Sequence, residues 1–243
     1  MTRLLNGIVS FGSVLLLAVT LIGAGFAAVA IPDAATATLS RAFSGCDQPN
    51  TPFTADELAS MAIAGKHYTF DDNDREKLDA AIAKANAAAE ADGRTNALSR
   101  ESAARTLPTD AISHLDDVYR VASVAKPALV IVAVLCIAGL AHVAVRISRR
   151  ALGRTLMAGG GLVLAAFCAL GAWAAIDFDG LFAAFHSLFF QAGTWTFPYD
   201  SLLITLYPTA FWMGMGGIWL AVTCGLSILA VLIGFTLGHK QHD

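Results

Sequence analysis

The chain has 243 residues, of which 56% are hydrophobic and only 14% are charged, and its mean hydropathy is +0.61. Apolar residues in this proportion, gathered into long blocks, are typical of a membrane protein and not of a globular domain in water. The formal net charge of −3 gives no basic surface for nucleic acid, and no cysteine pair has the spacing of a zinc or redox motif. We therefore expect an integral membrane protein that binds no nucleic acid and needs no metal or cofactor.

Four apolar blocks are long enough to cross a bilayer, which takes about 20 residues. A cleaved signal peptide is the alternative for the first block, because Arg3 precedes it and Ala28 and Ala30 resemble a cleavage site. That block, however, is longer than the ~7 to 15 apolar residues usual in signal peptides. We predict four transmembrane helices over residues 8–31, 127–145, 156–176 and 210–237.

The connections between these blocks predict how the chain is oriented. Residues 146–154 carry four arginines and no acid, so the positive-inside rule makes this turn and both termini, including Lys240, cytoplasmic. Residues 32–125, with 15 acidic against 9 basic side chains, and residues 177–209 are then outside. The predicted fold is an all-α integral membrane protein, a four-transmembrane-helix bundle with a large, partly helical extracytoplasmic loop. Its predicted parts are residues 1–31, 32–125, 126–176, 177–209 and 210–243.

Local signals predict helices inside the large loop. Thr54 followed by Glu57 forms a capping box, residues 74–91 are rich in alanine with one apolar side, and residues 111–124 continue into the second span behind a cap at Thr109 or Asp110. Within the membrane, small residues favour close helix packing. They form two groups, Gly159, Gly160 and Gly161 in the third span and Gly217, Ala221 and Gly225 in the fourth.

The second outer segment, residues 178–197, is unusually aromatic but too short to cross the membrane, so we expect it to lie at the interface. At helical spacing His186 shares a face with Phe182 and Phe190. His114 lies on the predicted helix before the second span. A histidine in either place can simply bond a headgroup or a carbonyl, but titratable groups near a membrane are also candidates for function.

Two stretches together resemble the Lit family of bacterial lipoprotein intramolecular transacylases. The resemblance is carried by His114-Leu115-Asp116-Asp117-Val118 and by Phe185-His186-Ser187-Leu188-Phe189-Phe190, with Gly193 to Phe197, Asp200 to Leu203 and Leu206 to Trp212 following. The family's two catalytic histidines match His114 and His186. The resemblance implies a multi-pass protein of the bacterial plasma membrane with its active site on the outer face.

The resemblance also implies the reaction. The sn-2 acyl chain of a diacylglyceryl-modified lipoprotein moves to the α-amino group of the same N-terminal cysteine, giving a lyso-lipoprotein. An α-amino group with a pKa near 8 must lose a proton before it attacks an ester, and a histidine is suited to accept it. Either histidine can be the base, the other assisting at the ester carbonyl or the leaving glycerol oxygen. Asp117, Arg120, Phe185, Phe189, Trp195 and Tyr207 are candidates for contacting substrate or membrane lipid.

Besides a metal hydrolase using His114 and His186, for which two histidines with Asp117 make a poor ligand set, two other interpretations fit the same topology. A non-catalytic membrane protein that binds lipid or a protein partner through the aromatic segment would keep every feature above except the need for the two imidazoles. A transporter fits less well, since the spans hold almost no charge. Replacing both histidines by glutamine separates the first of these from an enzyme.

Overall fold

The computed structural model describes residues 2–48, 50–95 and 102–239, and the regular structure within these ranges is entirely helical. Four helices there are long and apolar enough to cross a membrane, namely α1, α6, α7 and α10, which confirms the predicted fold class. The predicted tail from Lys240 onward lies outside the described residues. In chain order the helices are α1 Thr2–Ala30, α2 Asp33–Phe43, α3 Ala55–Phe70, α4 Arg75–Ala91, α5 Ser102–Arg105, α6 Thr109–His142, α7 Arg149–Ile176, α8 Phe178–Ser187, α9 Leu202–Leu206 and α10 Thr209–His239.

The chain forms two compact units, here called the span unit and the loop unit. The span unit comprises Met1–Ala28, Ala125–Leu181 and Ile218–Asp243, and the loop unit comprises Val29–Val124 and Phe182–Gly217. The unit boundaries fall inside α1, α6, α8 and α10, so these helices contribute residues to both. Each unit has a hydrophobic core of its own.

In the span unit, two helices approach closely at glycines. A Cβ added at Gly160 would lie 2.6 Å from the carbonyl oxygen of Ser227, and one at Gly153 would lie 2.6 Å from that of Gly234, so α7 and α10 come together at backbone distance. The predicted series on the fourth span was wrong, because Gly217 and Gly225 have no neighbour within 4 Å of such a Cβ. Close approach needs a glycine that faces the partner helix, and these two do not.

The connection between the second and third spans is shorter than predicted. A single π-helical turn, Val143–Ile147, continues α6, and Ser148 alone separates it from α7. The Ser148 hydroxyl caps α7 by accepting a hydrogen bond from the backbone N–H of Ala151 at 3.0 Å. Arg149, Arg150 and Arg154 therefore lie in the first turns of α7, not in a loop.

The loop unit confirms the helices predicted from local signals. Thr54 and Glu57 form both bonds of the capping box at the start of α3, and Asp74 caps α4 by accepting from the backbone of Glu76 and Lys77. The helix that begins at Thr109 runs without interruption into the second span, as predicted, so Thr109 and Asp110 lie in its first turn and do not cap it from outside. The apolar faces of α3, α4, α6 and α9 share one core.

One helix of this unit, α2, escaped prediction. It is short, and its two fully buried residues are the polar Thr36 and Ser40. Tertiary contacts hold it instead, since Lys66 on α3 donates to the carboxylate of Asp33 in its first turn and to the carbonyl of Ile31 at 2.9 Å. The positive charge of Lys66 is largely buried by this arrangement, and the ion pair compensates for the burial.

Candidate active site

His114 lies in the second turn of α6 and is only 8% exposed. Its neighbours Ala111 and Leu115 belong to the core of the loop unit, so the helix turns the imidazole inward with them. The rings of Phe190 and Phe197 pack on it, with centroids 4.9 Å and 5.6 Å away. Its Nδ1 atom is buried and has no hydrogen-bond partner among the described residues.

His186 lies in the last turn of α8, and one hydrogen bond defines which ring nitrogen carries its proton. Its Nδ1 is 2.9 Å from the carbonyl oxygen of Phe182, and because a carbonyl only accepts, Nδ1 must carry the proton. In the neutral ring the lone pair is then on Nε2, which is the form of an imidazole that can take a proton. The rings of Phe182 and Trp195 lie against it at 4.0 Å and 4.8 Å.

The two imidazoles are close together within the loop unit. Their ring centroids are 6.2 Å apart with an interplanar angle of 27°. Burial lowers the pKa of His186 below the usual 6.5, and the bond to the Phe182 carbonyl opposes this shift only in part. His186 is therefore neutral at pH 7 and ready to act as a base. The structure thus brings together the two histidines that the sequence singled out.

The other candidate residues differ in their surroundings. Asp117 accepts a hydrogen bond from the exposed Arg120, Nη1 to Oδ1 at 2.9 Å. Phe185 and Phe189 contact each other, centroid to centroid at 5.2 Å, and both are about half exposed. Trp195 contacts His186 directly. No hydrogen bond among the described residues joins Asp117 to either imidazole, so the predicted contacts with substrate stay predictions.

Tyr207 is held by the protein itself. Its hydroxyl donates to the carbonyl of Ala62 on α3 at 2.7 Å, and its ring packs on Phe211 and Trp212. Gly65, one turn further along α3, lies so close that a Cβ there would overlap the tyrosine hydroxyl. This side chain therefore fixes the chain between α9 and α10 on α3, whatever further contact it makes.

One pair of residues near the site was not predicted. Tyr68 on α3 donates to Oδ1 of Asp116 at 2.5 Å, and Asn73 donates to the same atom at 3.3 Å. Burial and the neighbouring carboxylate raise the pKa of Tyr68 to about 12. Since Asp116 follows His114 by two residues, this contact fixes the turn of α6 that carries the imidazole. Only its position beside the histidine motif singled out Asp116 in the sequence.

Among the residues that the structure describes, no group of three or more histidine, cysteine, aspartate or glutamate side chains is arranged to hold a metal ion. The imidazoles themselves are surrounded mainly by phenyl and indole rings, which are not ligands for a hard cation.

The geometry so far defines a class, a multi-pass helical membrane protein with two imidazoles side by side, one buried and one half-buried. Residues 85–212, just over half of the chain, match the family model described as lipoprotein intramolecular transacylase Lit. The chain belongs to the Lit family of lipoprotein intramolecular transacylases and is an enzyme of the membrane.

Solved structures agree with the fold. Lit from Bacillus cereus superposes with a TM-score of 0.72 at 17% identity, over 98% of this chain and 97% of that one. Two variants of the same protein, with one histidine replaced by alanine or by arginine, give TM-scores of 0.69 and 0.66, also at 17% identity, and cover 99% of this chain and 96% and 95% of theirs. No curated protein sequence matches the chain.

Proposed function

We propose that the chain moves the sn-2 acyl chain of a diacylglyceryl-modified lipoprotein to the α-amino group of the same cysteine, with His186 as general base. The observation that carries this assignment is the hydrogen bond from Nδ1 of His186 to the Phe182 carbonyl, which leaves Nε2 free to accept a proton. The nearness of His114 supplies a second imidazole for the same reaction. Membership in a transacylase family supports the reaction class.

His186 Nε2 takes a proton from the α-ammonium group, and the free amine attacks the carbonyl carbon of the sn-2 ester. The new C–N bond forms, the bond from that carbon to the glycerol oxygen breaks, and His114 donates the proton that the leaving oxygen needs. His186 releases the first proton to solvent, takes the second proton from the attacking nitrogen and passes it to His114, so that both imidazoles return to their neutral state. Both reacting groups belong to one molecule, so holding them together supplies much of the rate.

The surroundings of the two imidazoles suit an acylated substrate. Phe185 and Phe189 expose apolar rings beside the site, which favours contact with acyl chains. The exposed guanidinium of Arg120 is suited to bind an anionic lipid headgroup, although Asp117 shares its charge. An apolar setting also excludes water, which would otherwise hydrolyse the ester.

The origin of the transferred chain can be tested with a synthetic lipopeptide that carries an isotope label only in its sn-2 acyl group. We expect mass spectrometry of the product to place all of the label on the α-amino nitrogen, because the amine attacks only that ester. Label left on glycerol, with an unlabelled chain on nitrogen, would contradict the proposal. A peptide with an acetylated α-amine is the control and should not react.

The proposed orientation puts both termini in the cytoplasm and the imidazoles on the outer face. It rests on the arginines of residues 146–154. Cys46 in the loop unit is exposed, so a membrane-impermeant maleimide should label it in intact cells. Partial desolvation, followed by the negative charge of Asp47, raises the pKa of its thiol, and the reaction therefore needs a mildly alkaline buffer. Cys46→Ser should remove the label. Labelling of Cys46 only after the cells are permeabilised would mean that the chain has the opposite orientation.

A further inference from the structure

One polar atom in the aromatic surroundings of the histidine pair has no role in the step proposed above. Nε1 of Trp195 is buried and has no hydrogen-bond partner among the described residues. An indole N–H can only donate, and a buried donor that is left unpaired destabilises the folded protein. Tryptophans that are buried usually find an acceptor for this group. An unpaired donor beside two imidazoles therefore calls for an explanation.

The chain holds this indole against the proposed base. Gly193, with a φ of +86°, turns the chain after α8, and Thr194 closes the turn by donating from both its backbone N–H and its hydroxyl to the Gln191 carbonyl. Trp195 is thereby folded back so that its ring lies 4.8 Å from that of His186, at an interplanar angle of 34°. The indole is thus positioned by a defined turn and not by a loose loop.

The proposed transfer requires a donor to the carbonyl oxygen in addition to the two histidines, because His114 donates to the leaving glycerol oxygen in that step. As the amine attacks, the carbonyl oxygen gains negative charge, which N–H donors in a dry site stabilise strongly. His186 is receiving a proton at Nε2, and its Nδ1 proton is committed to Phe182. Among the described rings that pack on the two imidazoles, Phe182, Phe185, Phe190, Phe197 and Trp195, only the indole carries an N–H group.

We infer that the indole N–H of Trp195 donates a hydrogen bond to the carbonyl oxygen of the sn-2 ester and stabilises the oxyanion that forms on it. The inference rests on the proposed function. No covalent bond to Trp195 forms, and the indole keeps its proton throughout. When the tetrahedral intermediate collapses, the electron pair returns to the carbonyl, the glycerol oxygen leaves, and the indole releases the amide product.

The first test is Trp195→Phe in the purified full chain, assayed with a diacylglyceryl-cysteine peptide. Loss of one oxyanion donor typically lowers kcat by about a hundredfold to a thousandfold, and we expect a loss of this order with KM nearly unchanged. Trp173→Phe, at an exposed tryptophan of α7, is the matched control and should retain full activity. The acid limb of the kcat profile should stay in place, because the indole does not exchange the proton that His186 accepts.

The second test uses the unsubstituted protein and so does not depend on how the variant folds. With the indole nitrogens labelled, the N–H resonance of Trp195 should move downfield when an unreactive substrate with an acetylated α-amine binds. It should not move with an analogue whose sn-2 ester is replaced by an ether, which lacks the carbonyl oxygen. Equal shifts with both ligands, or an unchanged kcat in Trp195→Phe, would overturn the inference. If His186→Gln loses transfer while Trp195→Phe does not, the proposed function stands and only the role of Trp195 is wrong. If His186→Gln keeps full transfer, the proposed function itself is wrong.

Discussion

Replacing His186 by glutamine is expected to lower the rate of acyl transfer by at least about a hundredfold, the usual effect of losing a general base. Glutamine has a similar reach and stays polar, but it cannot accept a proton at neutral pH. The peptide should still bind, so KM should change little. The measurement is mass spectrometry of a reporter lipoprotein's N-terminal peptide from cells, followed by kinetics of the purified protein.

The same substitution elsewhere provides the control for this result. His67→Gln alters a histidine of the loop unit that is paired with Asp71, is 41% exposed and lies outside the proposed site. This variant should retain wild-type transfer. His114→Gln should lose activity as His186→Gln does, since it removes the donor to the leaving oxygen. Retention of transfer in both site variants would favour the alternative of a protein that only binds lipid or a partner.

The pH dependence of kcat gives a second measure of the same role. A base must be neutral to act, so activity is lost as pH falls through the pKa of His186 in the complex. Because burial lowers that pKa, the acid limb of kcat should lie below pH 6.5, and activity should persist at pH values where an exposed histidine is already mostly protonated. A limb at or above 6.5 would contradict the assignment of His186 as the base.

Much of the fold could be predicted because its signals are local. The length of an apolar block sets each span, and a capping box such as that of Thr54 and Glu57 marks a helix start regardless of what packs on it. Helix α2 carries neither of these signals. It is held by the ion pair between Asp33 and Lys66, two residues that are far apart in the chain. A contact between residues that are distant in the chain cannot be predicted from the sequence around either of them.

In the candidate site, too, the sequence predicted some features, while others depend on tertiary contacts. His114 and His186 were singled out by family resemblance, while their 6.2 Å separation depends on how Phe190 and Phe197 of the second outer segment pack on His114. The hydrogen bond from Tyr68 to Asp116 could not be predicted, because Tyr68 belongs to no motif and is 48 residues from Asp116 in the chain. The tautomer of His186 follows from its place in the last turn of α8, where Nδ1 reaches the carbonyl of Phe182 four residues earlier, which is a property of the folded helix.

The three adjacent glycines of α7 show that a sequence can predict close helix packing without predicting which glycine lies at the contact. Two of them also allow a test in which one variant is the control for the other. Successive residues of a helix point about 100° apart, so Gly159, Gly160 and Gly161 cannot all face the same partner. A Cβ at Gly160 would lie 2.6 Å from the carbonyl oxygen of Ser227, whereas one at Gly161 would have no neighbour within 4 Å. The sequence predicted close packing at this position but could not say which glycine provides it.

We therefore expect Gly160→Ala to destabilise the span unit relative to Gly161→Ala by about 1–3 kcal/mol, the usual cost of overpacking. Both variants gain the same helix propensity of alanine over glycine, so the difference between them isolates the clash. A backbone oxygen cannot rotate away as a side chain does, and α7 and α10 must separate to relieve the overlap. Reversible unfolding of the two variants in the same detergent measures the difference in free energy. Equal stability would mean that the two helices do not approach at Gly160.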